Sequence, residues 1–133
     1  MPLVVQDVTL VGFGAIGRSV FQCLVDSKQS RITHIVVSKA RVSALQSELG
    51  GTVQVVDTIP DECRLVLECA GHSALTQHIV PALMRGIECG VLSVGALSDI
   101  GLYEQLIQAA KHGQTQAHLL SGAVGCIDAI AAA

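Results

Sequence analysis

Val8-Thr-Leu-Val-Gly-Phe-Gly-Ala-Ile-Gly17 decides how this chain is read, because a short apolar strand runs straight into Gly12-x-Gly14-x-x-Gly17 and then into a segment of helical periodicity. Each glycine in such a turn has its own task. Gly12 permits the tight exit from the strand, Gly14 lets backbone approach a pyrophosphate, and Gly17 lets the following helix pack closely. The first N–H groups of that helix have no intrahelical partner and its dipole favours negative charge, so the turn is built for an anion. Glycines at this spacing also occur in ordinary structural turns. The strand before them and the helix after them make the dinucleotide reading specific.

Working outward, Ala15 to about Asp26 places Ile16, Val20, Phe21, Leu24 and Val25 on one helical face. The nearly unbroken Ile/Val run from Ile32 to Val37 suits a parallel strand covered on both sides. Ala40 to Leu49 reads as a helix stopped by Gly50-Gly51, and Val53 to Val56 as a short strand. Pro60-Asp61-Glu62 can begin a helical turn before the strand Leu65 to Glu68. Ser73 to Met84 is helical, with Pro81 as the source of a kink. Cys89 to Val94 is a strand, Asp99 starts a helix carrying Leu102, Leu106, Ile107 and Ala110, Gly113 stops it, and Ala117 to Leu120 is the last strand. This alternation predicts an α/β chain: a Rossmann-type doubly wound parallel sheet with right-handed crossovers and strand order 3-2-1-4-5-6.

The length of 133 residues suits one domain. Only 14% of them are charged, against about 25% in an average domain, so apolar surface is expected to be covered by a second domain or subunit. No charge-free stretch reaches the roughly 18 residues that cross a bilayer, so no membrane association is expected. A net charge of -3, no Trp, one Tyr and two Phe offer nucleic acid neither a basic stripe nor stacking platforms. The N-terminus lacks the basic and apolar regions of a signal peptide, which points to a cytoplasmic location. Cys23, Cys63, Cys69, Cys89 and Cys126 are odd in number and mostly set among apolar residues, which reads as buried thiols rather than a disulfide framework. No Cys/His/carboxylate grouping has metal-site spacing.

In a doubly wound sheet the ligand lies beyond the carboxyl ends of the strands. Four loops are nominated: Gly12, Phe13, Gly14, Ala15, Ile16 and Gly17; Ser38 to Arg41; Cys69, Ala70, Gly71, His72 and Ser73; and Ser93, Val94, Gly95, Ala96 and on to Ser98. A site for NAD commonly carries an acid about 20 residues after the glycines to hold the ribose 2′-hydroxyl. Here that place reads Val37-Ser-Lys-Ala-Arg41, and Ser38, Lys39 and Arg41 suit a 2′-phosphate, so NADP is expected to bind at least as well as NAD. Alternatively, Lys39 and Arg41 are solvated residues at the start of an exposed helix. His72 could donate to a ribose hydroxyl or titrate near neutrality, or simply shape its loop. His34, His78, His112 and His118 read as structural or surface positions.

Gly12-Phe-Gly-Ala-Ile-Gly17, Leu67-Glu-Cys-Ala-Gly-His72, Val80-Pro-Ala-Leu-x-x-Gly86, Leu92-Ser-Val-Gly-Ala-Leu97 and Leu120-Ser-Gly-Ala-Val-Gly-x-Ile-Asp-Ala129 together resemble the N-terminal half of the L-aspartate dehydrogenase family. The resemblance covers essentially the whole chain. It implies binding of NAD or NADP and reversible conversion of L-aspartate to iminoaspartate and ammonia, feeding NAD biosynthesis. It places Gly12, Gly14 and Gly17 at the pyrophosphate, the loops of Ala70 to His72 and Ser93 to Ala96 near the nicotinamide, and Ser121, Gly122, Ala123, Val124 and Gly125 in the substrate region. The family's catalytic histidine and most dicarboxylate-binding groups fall beyond position 133, so none of the five histidines fills that place and His72 is the only local rival. The expected organisation is a dinucleotide-binding domain over 1–121 and, over 122–133, the start of a connecting helix toward a further catalytic domain, through which a homo-oligomer would form. Two alternatives remain: another two-domain reductase of dihydrodipicolinate or homoserine type, and a free-standing dinucleotide-binding module without chemistry.

Overall fold

The computed structural model describes residues 5–120, except the side chains of Val94 and Ala96. The expected substrate loop Ser121 to Gly125, Cys126 and the final helix lie outside the described residues. Six strands form one parallel sheet: β1 (Gln6–Val11), β2 (Ser30–Val36), β3 (Gln54–Val56), β4 (Leu65–Glu68), β5 (Glu88–Val91) and β6 (Ala117–Leu119). Their order is β3-β2-β1-β4-β5-β6, as the alternation of elements predicts. Helices α1 (Ala15–Val25) and α2 (Lys39–Leu49) connect the first three strands, and α3 (His72–Ala74), α4 (Val80–Met84) and α5 (Ile100–Gly113) connect the last three.

Strands β1, β2 and β4 are apolar on both faces because they are covered twice. Successive side chains point to opposite sides of a strand, and they divide here between two cores. Leu10, Ile35 and Leu67 join Val20, Leu24 and Leu45 under α1 and α2. Val11, Val36 and Val66 join Leu75, Ile79, Leu83, Leu102 and Leu106 under α3 to α5. Burying one such side chain stabilises the fold by about 1.5–3 kcal/mol. The sheet thus lies between two apolar layers, and its carboxyl edge carries only loops.

Several local expectations shift. Ile16 and Val25 do not join the α1 core face: they are 52% and 58% exposed, and α1 buries Gly17, Val20 and Leu24 instead. Pro60 begins a single turn as expected, closed by the Cys63 amide on the Pro60 carbonyl. Pro81 does not simply kink its helix. A wide π-helical turn over Leu75–Ile79 precedes it, and the Val80 amide donates to the Leu75 carbonyl, so the ring enters at the start of α4 where its missing N–H costs little. Strand β5 ends at Val91, because Val94–Ser98 winds into a 3-10 turn. Of the four described cysteines only Cys89 is buried; Cys63 and Cys69 are half-buried and Cys23 is exposed. The expectation of generally buried thiols therefore fails, since helix α1 turns Cys23 outward.

Candidate dinucleotide site

The strand order reverses beside β1, whose neighbours β2 and β4 send their connections to opposite faces. A crevice opens at such a point. The ladder continues past the strand ends through Gly12 N–H to the Val36 carbonyl (2.8 Å), Cys69 N–H to the Val11 carbonyl (2.8 Å) and Leu92 N–H to the Glu68 carbonyl (3.1 Å). The three loops after β1, β4 and β5 therefore leave the sheet at one level and face one another.

The glycine loop is built as its spacing predicts. Gly12 has φ +95°, and a Cβ there would stand 2.6 Å from the Ala70 Cβ. The loops after β1 and β4 touch at this point. A Cβ on Gly17 would stand 2.6 Å from the Gly12 carbonyl oxygen, so α1 packs on the turn itself. Gly14, the residue before α1, is different: a Cβ there meets nothing within 4 Å. No side chain caps α1 and its first turn holds no acid, so its leading N–H groups have no side-chain partner, and the space beside Gly14 is open. That is the cradle a phosphate group requires. The residues fit the group.

Phe13, expected to contribute to the site, turns its side chain inward and leaves only its backbone on the loop. The residue is 2% exposed, and its ring meets Phe21 edge to face at 5.6 Å and lies under the Arg18 guanidinium at 4.7 Å. Arg18 is itself held by Glu48 at 2.6 Å. The Phe13 carbonyl instead faces Arg41, whose Nη2 donates to it at 3.5 Å. This contact draws Arg41 from α2 toward the glycine loop. Ser38, Lys39 and Arg41 are all exposed at the carboxyl end of β2, and Ser38 precedes α2 without using its hydroxyl as a cap.

The loops after β4 and β5 are joined by an acid that the sequence reading did not single out. Glu68, with 0% exposure, accepts from Ala70 N–H (2.8 Å), Gly71 N–H (2.7 Å) and the Ser93 hydroxyl (2.6 Å) at Oε2, and from Ser93 N–H (2.9 Å) at Oε1. The available signal was an acid closing the otherwise apolar strand Leu65-Val-Leu-Glu68. His72 is exposed, and its Nε2 lies 3.5 Å from Asp99 Oδ2. Asp99 Oδ1 accepts from Leu102 N–H at 3.2 Å, which caps α5. These contacts, the Leu102 amide first and His72 second, hold the Asp99 carboxyl below its ordinary value. Ser93 is half-buried and Gly95 exposed in the neighbouring loop. Among the described residues, no group of three or more His, Cys, Asp or Glu could hold a metal ion. None of their helices is long and apolar enough to cross a membrane.

A parallel sheet of this order with a glycine turn opening onto a bare helix N-terminus defines a dinucleotide-binding domain of the dehydrogenase type. The comparison with known proteins agrees. Residues 12–120 match the family described as homoserine dehydrogenase, NAD binding domain, and the chain belongs to that family. It is also 47% identical over 133 residues to an L-aspartate dehydrogenase of Cupriavidus taiwanensis, covering 95% of this chain and 49% of that protein. The chain thus spans about half the length of the curated relatives it matches. Among solved structures, aspartate dehydrogenase from Thermotoga maritima superposes with a TM-score of 0.64 at 21% identity, covering 96% of this chain and 50% of that one. Biliverdin reductase from Synechocystis, solved with biliverdin and NADP+, gives a TM-score of 0.68 at 19% identity over 86% of this chain and 37% of that one. These two likenesses establish the fold.

Proposed function

We propose that this chain forms the cofactor-binding part of an NAD(P)-dependent L-aspartate dehydrogenase, which oxidises L-aspartate to iminoaspartate and ammonia for NAD biosynthesis. The observation that carries it is the bare N-terminus of α1 beside the open space at Gly14, in a chain 47% identical to such an enzyme. The amides from Gly12 to Gly17 hold the pyrophosphate. Ser38, Lys39 and Arg41 receive the ribose or its 2′-phosphate, and the loops Cys69 to His72 and Ser93 to Ala96 border the nicotinamide. When bound, the nicotinamide supplies the hydride acceptor; the chain supplies position and electrostatic complementarity. Ser121, Gly122, Ala123, Val124 and Gly125 border the substrate in this reading, and the proton acceptor and cationic clamps for two carboxylates come from outside residues 1–133.

His72 acts here as a loop-shaping residue, because its exposed ring leans on the Asp99 that caps α5. The reading also places the protein in the cytoplasm as a homo-oligomer assembled through the catalytic domain. Calorimetric titration of the chain with NADP and NAD, followed by NAD(P)H absorbance with L-aspartate for the chain and for a full-length protein, tests it. Dinucleotide binding without turnover by the chain is expected. Failure of the chain to bind either dinucleotide refutes the proposal, as does aspartate turnover by the chain equal to that of the full-length protein.

A further inference from the structure

Glu68 is costly where it stands. An acid with no exposed surface forgoes hydration, and burial of this kind is tolerated only where hydrogen bonds replace the lost water. Among the described residues no Lys, Arg or His pairs with it. All four of its contacts are donations to the carboxyl: two backbone amides from the loop after β4, and the amide and hydroxyl of Ser93 from the loop after β5. Its position next to the β4–β5 ladder would suit an apolar residue, as Val66 and Leu67 before it show. What an apolar residue could not do is accept from three part-buried N–H groups and a hydroxyl that belong to two separate loops. Ala70, one of the residues it holds, is also the residue against which Gly12 turns.

We infer that Glu68 is a positioning residue: its buried carboxyl fixes the separation of the loops after β4 and β5 and so sets the width of the cleft that receives the nicotinamide half of the dinucleotide. The inference rests on the dinucleotide reading above. Charge-assisted bonds of this length are stronger than neutral ones, and a clasp made on both sides by one rigid group defines a spacing better than two loops packed independently.

The amide variant separates the two sides of the clasp. In Glu68→Gln the side-chain oxygen can replace Oε2 and keep the donations from Ala70, Gly71 and the Ser93 hydroxyl. The NH2 group then faces the Ser93 amide, donor against donor. The opposite flip would set the NH2 against two backbone donors and is worse. Glu68→Gln therefore loosens the Ser93 side while leaving the Ala70 side and the glycine loop in place.

Two measurements on the same protein test this. By titration, Glu68→Gln should bind NADH about tenfold more weakly while binding ADP, which needs only the glycine loop and the β2 end, within about twofold of wild type. By hydrogen exchange with no ligand, the peptide containing the Ser93 amide should exchange faster in the variant, and that containing the Ala70 and Gly71 amides should not change. Should Glu68→Gln fail to fold, Ser93→Ala removes one donor only and should show the same NADH-selective loss, about threefold. Unchanged NADH affinity, equal loss of NADH and ADP, or unaltered exchange at Ser93 overturns the inference. Wild-type protein that binds neither NADH nor ADP would refute the dinucleotide reading instead, and the exchange measurement would still decide whether the clasp exists.

Discussion

Two glycines of one loop should respond oppositely to the same methyl group. Gly14 has φ -85° and ψ -153°, extended backbone that any residue adopts, and the added carbon meets nothing within 4 Å. Restricting the unfolded chain favours the alanine variant by about 0.4–1 kcal/mol. The poorer quality of alanine as a helix N-cap opposes this by about 0.5–1 kcal/mol. The two offset, so Gly14→Ala should leave stability within about 1 kcal/mol of wild type. The methyl nevertheless stands beside the leading N–H groups of α1, where a phosphate oxygen needs hydrogen-bond distance, and dinucleotide affinity should fall at least tenfold, or about 1.4 kcal/mol.

Gly12→Ala has the reverse profile. A left-handed backbone at φ +95° costs a non-glycine residue about 1–2 kcal/mol, and the new Cβ would lie 2.6, 2.9 and 3.0 Å from Ala70 Cβ, Cα and N. Those are backbone and near-backbone atoms, held in place by Glu68, so they cannot swing aside. Overpacking of this kind adds about 1–3 kcal/mol, giving a destabilisation of about 2–5 kcal/mol in all. Urea unfolding followed by circular dichroism, alongside calorimetric binding of NADPH, separates the two variants. A stable Gly12→Ala would refute the steric account of the turn. A Gly14→Ala protein that binds NADPH normally would refute the placement of the phosphate.

The remaining predictions concern specificity, reactivity and pH. Arg41→Ala should weaken NADP more than NAD, since only the former offers the guanidinium a 2′-phosphate; equal loss in competitive titrations would make Arg41 a support for the Phe13 carbonyl alone. Burial pushes the Cys89 thiol up to about 12, whereas Cys23 is exposed, so alkylation at pH 8 read by peptide mass spectrometry should modify Cys23 quickly and Cys89 only on unfolding. Burial also holds the His78 imidazole below its ordinary value, against a smaller opposing pull from Asp57. Because the folded value is the lower one, the unfolded chain gains the proton first, and stability is full above about pH 6.5 and declines as pH falls below it. His78→Gln should flatten the loss of stability between about pH 7 and 5 measured by urea midpoints; an unchanged slope would count against that origin.

The sheet order was legible because it depends on local signals repeated along the chain. Ile/Val runs such as Ile32 to Val37 mark strands covered on both faces, helical periodicity separates them, and Gly50 and Asp99 punctuate the helices where they lie. The same local reading misjudged residues whose fate is set elsewhere. Ile16 looks like a core position by spacing, yet it stands in the first turn of α1 and is 52% exposed. Phe13 sits in the middle of the motif, yet its ring is drawn inward by Phe21 and covered by Arg18, which in turn is anchored by Glu48 from α2.

The contacts that tie the loop after β4 to the loop after β5 join residues far apart in sequence. Glu68 and Ser93 are separated by 25 positions, and no periodicity or spacing rule connects them. His72 and Asp99 form a second link between the same pair of connections, farther from the sheet and exposed to water. The two links differ in strength for that reason. A pair half exposed to solvent is screened and contributes little, whereas the Glu68 bonds converge on a carboxyl with no exposed surface. The inner link therefore determines where the loops stand, and the outer one can break and reform without moving them. A cleft arranged in this way keeps the backbone that would border the nicotinamide fixed at its base and adjustable at its rim, where a substrate and a second domain would approach.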